Sequence, residues 1–110
     1  MKKQTLVVKL GSAVLSNADG STNTSVIRQI ADEIAFLSDK YQIILVSSGA
    51  VSSGKHFLEN YKGTLTEKKA AAAIGNPILI ELYRKQFKRH NITVAQALCE
   101  RHHFSNRNLF

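Results

Sequence analysis

From Gln4 to Leu10 the chain reads QTLVVKL, a short apolar, β-branched run that halts at Gly11, and this pattern predicts a buried strand. The stretch SNADGSTNT that follows carries Asn17, Asp19, Gly20 and Asn23, residue types that tolerate tight turns, and predicts a loop. Val26, Ile27, Ile30, Ile34 and Leu37 then recur at three- and four-residue spacing. They form one apolar face of a helix that Thr24 or Ser25 can cap and that runs to about Asp39. A second apolar run, Gln42 to Val46, predicts another strand, ended by Ser47 to Gly49. Ala50 through Leu58 reads as helix and Tyr61 to Leu65 as a loop holding Gly63. Thr66 is the expected N-cap of EKKAAAAI, whose alanines favour helix. Gly75-Asn76-Pro77 is expected to interrupt that helix. Pro77 would open a new one whose buried side holds Ile78, Leu79, Leu82, Tyr83 and Phe87. Asn91 to Leu98 (NITVAQAL) is a third strand candidate with imperfect alternation.

Short apolar strands separated by helices predict the α/β class: a three-layer αβα sandwich with a mainly parallel sheet and right-handed crossovers. No internal repeat, low-complexity tract or linker divides residues 1–110. Ser105 could cap a further helix, but only about one turn of residues follows it. A three-stranded open parallel sheet is small for this class. The expectation is therefore a partial domain, a portion of a larger fold.

Composition narrows the class without deciding it. The 110 residues are 44% hydrophobic and 21% charged, ordinary for a globular chain of one small domain. Cys99 is the single cysteine, so neither a disulfide framework nor a zinc ligand set is indicated, and a reducing, cytoplasmic setting is expected. Met1-Lys2-Lys3 ahead of an apolar stretch resembles a signal peptide only superficially, because Lys9 and Gly11 interrupt the stretch. No run approaches the roughly 18 apolar residues of a membrane span. The net charge of +7 raises the question of nucleic acid. Arg84, Lys85, Lys88 and Arg89 cluster on one predicted helix and read most simply as a solvated face; a small basic domain that binds nucleic acid or protein is the alternative. An anionic small molecule would profit from the same field.

Chemistry is concentrated at two glycine turns. Parallel α/β sheets bind ligands at the carboxyl ends of their strands. Lys9-Leu10-Gly11-Ser12 and Ser47-Ser48-Gly49-Ala50 both lie at such ends. Glycine there lets backbone approach a ligand closely, and Lys9 adds a compact positive charge. Gly49 to Lys55 also fits G-x-x-x-x-G-K, a phosphate-cradling loop, but His56 stands where a magnesium-binding hydroxyl should be. A P-loop-like nucleotide binder is therefore a second alternative. Cys99, His102 and His103 give no ligand set and no orienting acid, so a core or surface role is assigned to them.

Four segments in order, VVKLGSAVL, ILVSSGAVSSG, AAAIGNPILIELY and VAQALCERHHF, resemble the N-terminal part of the amino acid kinase family, and the resemblance covers essentially the whole chain. It is narrowest toward members that use ATP to phosphorylate the γ-carboxylate of L-glutamate, opening proline biosynthesis. The resemblance implies that Lys9 reaches the transferred phosphoryl group, that Gly11 and Ser12 offer it backbone amides, and that Ser48, Gly49 and Ala50 hold glutamate. Gly54 would permit close helix packing. It implies ATP, with Mg2+ bound through the nucleotide, and a homo-oligomer in the full-length parent. Residues 1–110 would be the acceptor-substrate half, catalytically incompetent without the nucleotide-binding half. Neither membrane nor nucleic acid is an implied partner.

Overall fold

The structure, a computed structural model, describes residues 2–98. Its elements are β1 (Gln4–Leu10), α1 (Ser12–Leu15), α2 (Thr24–Leu37), β2 (Tyr41–Ser47), α3 (Ala50–Gly54), a 3-10 turn (Lys55–Phe57) and α4 (Leu65–Lys88). The two strands pair in parallel, from Gln4 opposite Tyr41 to Leu10 opposite Ser47. The α/β class and the parallel pairing are as the apolar runs predict.

One face of this sheet is covered. Leu10, Ile43 and Leu45 pack against a core of Leu15, Ile27, Ala31, Ile34, Leu79, Tyr83 and Phe87, drawn mainly from α2 and α4. Each fully buried aliphatic side chain contributes about 1.5–3 kcal/mol. Alternation along the strands turns Val7, Ile44 and Val46 to the opposite face, where they remain 59%, 52% and 45% exposed. Among the described residues, then, the structure shows two of the three expected layers.

The helices are capped differently from expectation. Asn23, rather than Thr24 or Ser25, caps α2 by accepting from the Val26 amide. Lys3 Nζ donates to the Ser38 carbonyl at the other end, 2.8 Å away. Thr64, rather than Thr66, caps α4, and with Glu67 it makes a reciprocal capping box. The hydroxyl of Thr64 accepts from the Glu67 amide while the Glu67 carboxylate accepts from the Thr64 amide.

Two larger corrections concern α4 and the segment after it. Gly75-Asn76-Pro77 does not end the helix, which runs without interruption through Pro77. Proline removes the bond to the carbonyl four residues back, that of Ala73. Ala73 and Pro77 both lie on the exposed side, where water can satisfy that carbonyl. On the opposite side Ala71, Gly75, Leu79, Tyr83 and Phe87 form one buried row at four-residue spacing. The segment 91–98, expected as a strand, pairs with neither described strand; Asn91 takes a left-handed conformation (φ 57°), and Ile92 and Val94 only pack against the core. The expected cap at Ser105, with Cys99, His102 and His103, lies outside the described residues.

Close contact between α3 and α4 fixes the region around the glycine turns. A Cβ on Gly75 would fall on the Ala50 carbonyl, and one on Gly54 would fall on the Ala71 carbonyl. Only glycine permits this approach at either position. The packing role expected of Gly54 is what the structure shows.

Candidate functional site: a cleft at the strand ends

Past its last ladder pair, β2 continues into Ser48, whose amide donates to the Leu10 carbonyl at 2.9 Å. This bond sets the Gly11 turn and the Gly49 turn side by side. Gly49 sits at φ 110°, a left-handed conformation that favours glycine, and the chain there swings into α3. The first bond inside α3 runs from the Ser53 amide to the Gly49 carbonyl, so the amides of Ala50, Val51 and Ser52 precede any intrahelical donation.

A cleft of about 520 Å³ opens there, lined by Ser12, Ser47, Ser48, Gly49, Ala50, Val51, Ser52 and Lys68. Among the expected site residues it gathers Ser12, Ser48, Gly49 and Ala50. Lys9 and Gly11 are not in its lining. Lys9 lies directly opposite Val46 in the ladder, on the exposed face of the sheet, three residues before Ser12.

The lining is rich in unspent donors. No hydrogen bond engages the hydroxyls of Ser12, Ser48 or Ser52 among the described residues. Ser47 is committed instead: its Oγ donates to the Ser48 carbonyl at 3.0 Å and meets Tyr83 Oη at 2.7 Å. With its one proton so placed, Ser47 accepts from Tyr83. Burial pushes the Tyr83 hydroxyl above its usual pKa. The turn is thus anchored to the core through α4. A second anchor joins α3 to the 16–23 loop, where Thr22 Oγ1 and the buried Ser53 Oγ lie 2.8 Å apart.

Lys68 is the lining residue that motif reasoning missed. Its signal was helical: in an unbroken α4, Lys68, Ala71 and Gly75 are related by three and seven residues and share one face. Gly75 touches Ala50, so that face is turned to α3 and the cleft. Treating Gly75 as a breaker hides the relation.

The P-loop alternative fails on geometry. Ala50–Gly54 is helix rather than an open cradle, Gly54 is buried against α4, and the Lys55 stem lies against Gly20 instead of lining the cleft. The basic face is also partly neutralised. Arg84 pairs with Glu81 at 2.8 Å and Arg89 with Asp32 at 3.0 Å.

Among the described residues the cleft offers hydroxyls, amides and one ammonium group and no carboxylate, which suits an anion and not a directly bound divalent cation. Among the described residues no group of three or more His, Cys, Asp or Glu could hold a metal. None of the described helices is long and apolar enough to cross a membrane.

A parallel α/β unit with an anion-suited cleft where its strands end is the general class that fold and site define. The chain belongs to the amino acid kinase family, whose model matches residues 4–110. It is 40% identical to a glutamate 5-kinase of Trichlorobacter lovleyi over 108 residues, covering 96% of this chain and 29% of that protein. Against glutamate 5-kinase 1 of Bacillus subtilis it is 40% identical over 110 residues, covering 97% of this chain and 30% of the relative. A glutamate 5-kinase of Helicobacter hepaticus is likewise 40% identical over 107 residues, with 97% and 40% covered. The chain therefore spans well under half the length of these curated relatives.

Proposed function

We propose that this chain is the acceptor-binding portion of a glutamate 5-kinase, which transfers the γ-phosphoryl group of ATP to the γ-carboxylate of L-glutamate and yields glutamyl 5-phosphate, the first step of proline biosynthesis. Residues 1–110 form a partial amino acid kinase domain, inactive alone, and the nucleotide-binding half belongs to the rest of a cytoplasmic, homo-oligomeric parent. What carries this reading is the hydrogen bond from Ser48 to Leu10, which sets the two glycine turns side by side, with Ser12 of one and Ser48 to Ala50 of the other lining one cleft, in a chain of this family.

In the reaction a glutamate γ-carboxylate oxygen attacks the γ-phosphorus, and the bond to the bridging oxygen breaks to release ADP. Phosphoryl transfer asks the protein mainly for positioning and positive charge. Lys9, at the end of β1, stabilises the charge on the transferred group, and the amides of Gly11 and Ser12 hold its oxygens. Ser48, Gly49 and Ala50 hold glutamate. Magnesium would be carried by the nucleotide phosphates, whose charge it would neutralise; among the described residues the lining of this cleft supplies no carboxylate to hold it.

The test is to incubate the full-length protein with ATP, Mg2+, glutamate and hydroxylamine. Glutamate-dependent ADP release with formation of the γ-glutamyl hydroxamate is expected. Release of ADP with another acceptor and none with glutamate contradicts the substrate assignment.

A further inference from the structure

Among the described residues Lys68 is the one charged side chain in the lining of the cleft, and its ammonium group has no hydrogen-bond or ion-pair partner there. The neighbouring acid is already committed: Glu67 accepts from the amides of Lys62 and Thr64, and the Thr64 hydrogen bonds hold its carboxyl below its usual pKa. Nothing in α4 itself favours a cation at this position, the fourth residue of the helix, where the positive end of the helix dipole opposes it. The charge is left facing a cleft of free hydroxyls and amides.

Glutamate brings two carboxylates, and only one is to be phosphorylated. Lys9 stands outside the lining, on the exposed sheet face, so the two lysines do not compete for one group. We infer, resting on the glutamate 5-kinase reading, that Lys68 is a specificity residue: its ammonium group pairs with the acceptor's α-carboxylate and so fixes which carboxylate is presented for transfer.

The experiment uses the full-length protein with Lys68→Met and Lys68→Arg. Lys68→Met is expected to raise the KM for glutamate about 10- to 100-fold, as for loss of a hydrogen bond to a charged group, with the KM for ATP unchanged. Lys68→Arg keeps most of the affinity. Two competitive inhibitors separate recognition from folding: glutarate retains the second carboxylate, and 4-aminobutyrate lacks it. The wild type is inhibited better by glutarate, and Lys68→Met abolishes that preference while leaving inhibition by 4-aminobutyrate in place. An unchanged KM for glutamate, or equal weakening of both inhibitors, overturns the role of Lys68 alone. A wild type that makes no glutamyl phosphate overturns the parent reading and this assignment with it.

Discussion

Ser48 and Leu10 are joined by a main-chain hydrogen bond of 2.9 Å, one step beyond the last pair of the β1–β2 ladder. Parallel pairing therefore extends into the two turns themselves, and the Gly11 and Gly49 bends are held in a fixed relation before any ligand arrives. Such preorganisation is what transfer by positioning requires.

Gly49→Ala tests that relation. Space exists for the methyl group, which would lie 3.6 Å from Leu15 Cδ1, so the cost comes from φ 110° alone. A loss of about 1–3 kcal/mol in denaturant unfolding is expected, with a raised KM for glutamate. A variant as stable as wild type with unaltered KM means that the turn relaxes without consequence.

The α3–α4 contact gives a larger effect. Gly54→Ala and Gly75→Ala each drive a methyl group into backbone, which cannot move aside as a side chain tip can. Each should destabilise by about 3 kcal/mol or more, at or beyond the upper end for overpacking. Gly11→Ala is the control: no described residue beyond its chain neighbours lies within 4 Å of its Cβ position, and φ −78° suits any residue. Its melting temperature should stay close to wild type.

Acid should weaken the start of α4. The carboxyl of Glu67 is held below its reference value of 4.5, first by the hydrogen bonds from Thr64. A folded pKa below the unfolded one contributes stability that is present above pH 4.5 and is lost as pH falls through the folded value. Urea unfolding from pH 7 to pH 3 should show that loss, and Glu67→Gln should flatten it. Thr64→Ala should cost about 1 kcal/mol at neutral pH.

At the alkaline end Tyr83 acts in the opposite sense. Burial raises its folded pKa above 10.0, so the stability it contributes is present below pH 10 and is lost as pH rises through the folded value. Tyr83→Phe should remove that alkaline limb. It also deprives Ser47 of its 2.7 Å partner, at a cost of about 1 kcal/mol, and loosens the turn that carries Ser48. Identical alkaline curves for both proteins would mean that Tyr83 ionises freely in the fold.

Much of this arrangement was legible in residue patterns. β1 has the limits that its apolar run set, β2 is wider by one residue at each end, and the α2 face falls where its spacing placed it. Local signals competed at the caps, where the Thr64–Glu67 box lay two residues before the threonine first favoured. Tertiary packing decided α4: Gly75 and Pro77 are breakers by propensity, yet Gly75 is required by contact with α3, and Pro77 loses its bond on the solvent side. Alternation in 91–98 suggested a strand, but a strand needs a partner in the ladder, which no spacing pattern supplies. Four of the six expected site residues line the cleft; Lys68 was hidden because it belongs to it only through an unbroken helix.

Whether Lys9 acts on the phosphoryl group passed to an acceptor held at the Ser48 turn is decided by hydroxamate formation with full-length Lys9→Met. Turnover should fall about 100-fold or more, as when a transition-state charge loses its partner, while the circular dichroism spectrum and melting temperature stay those of wild type. A Lys9→Met enzyme that turns over glutamate at the wild-type rate would mean that Lys9 carries no charge of the transferred group.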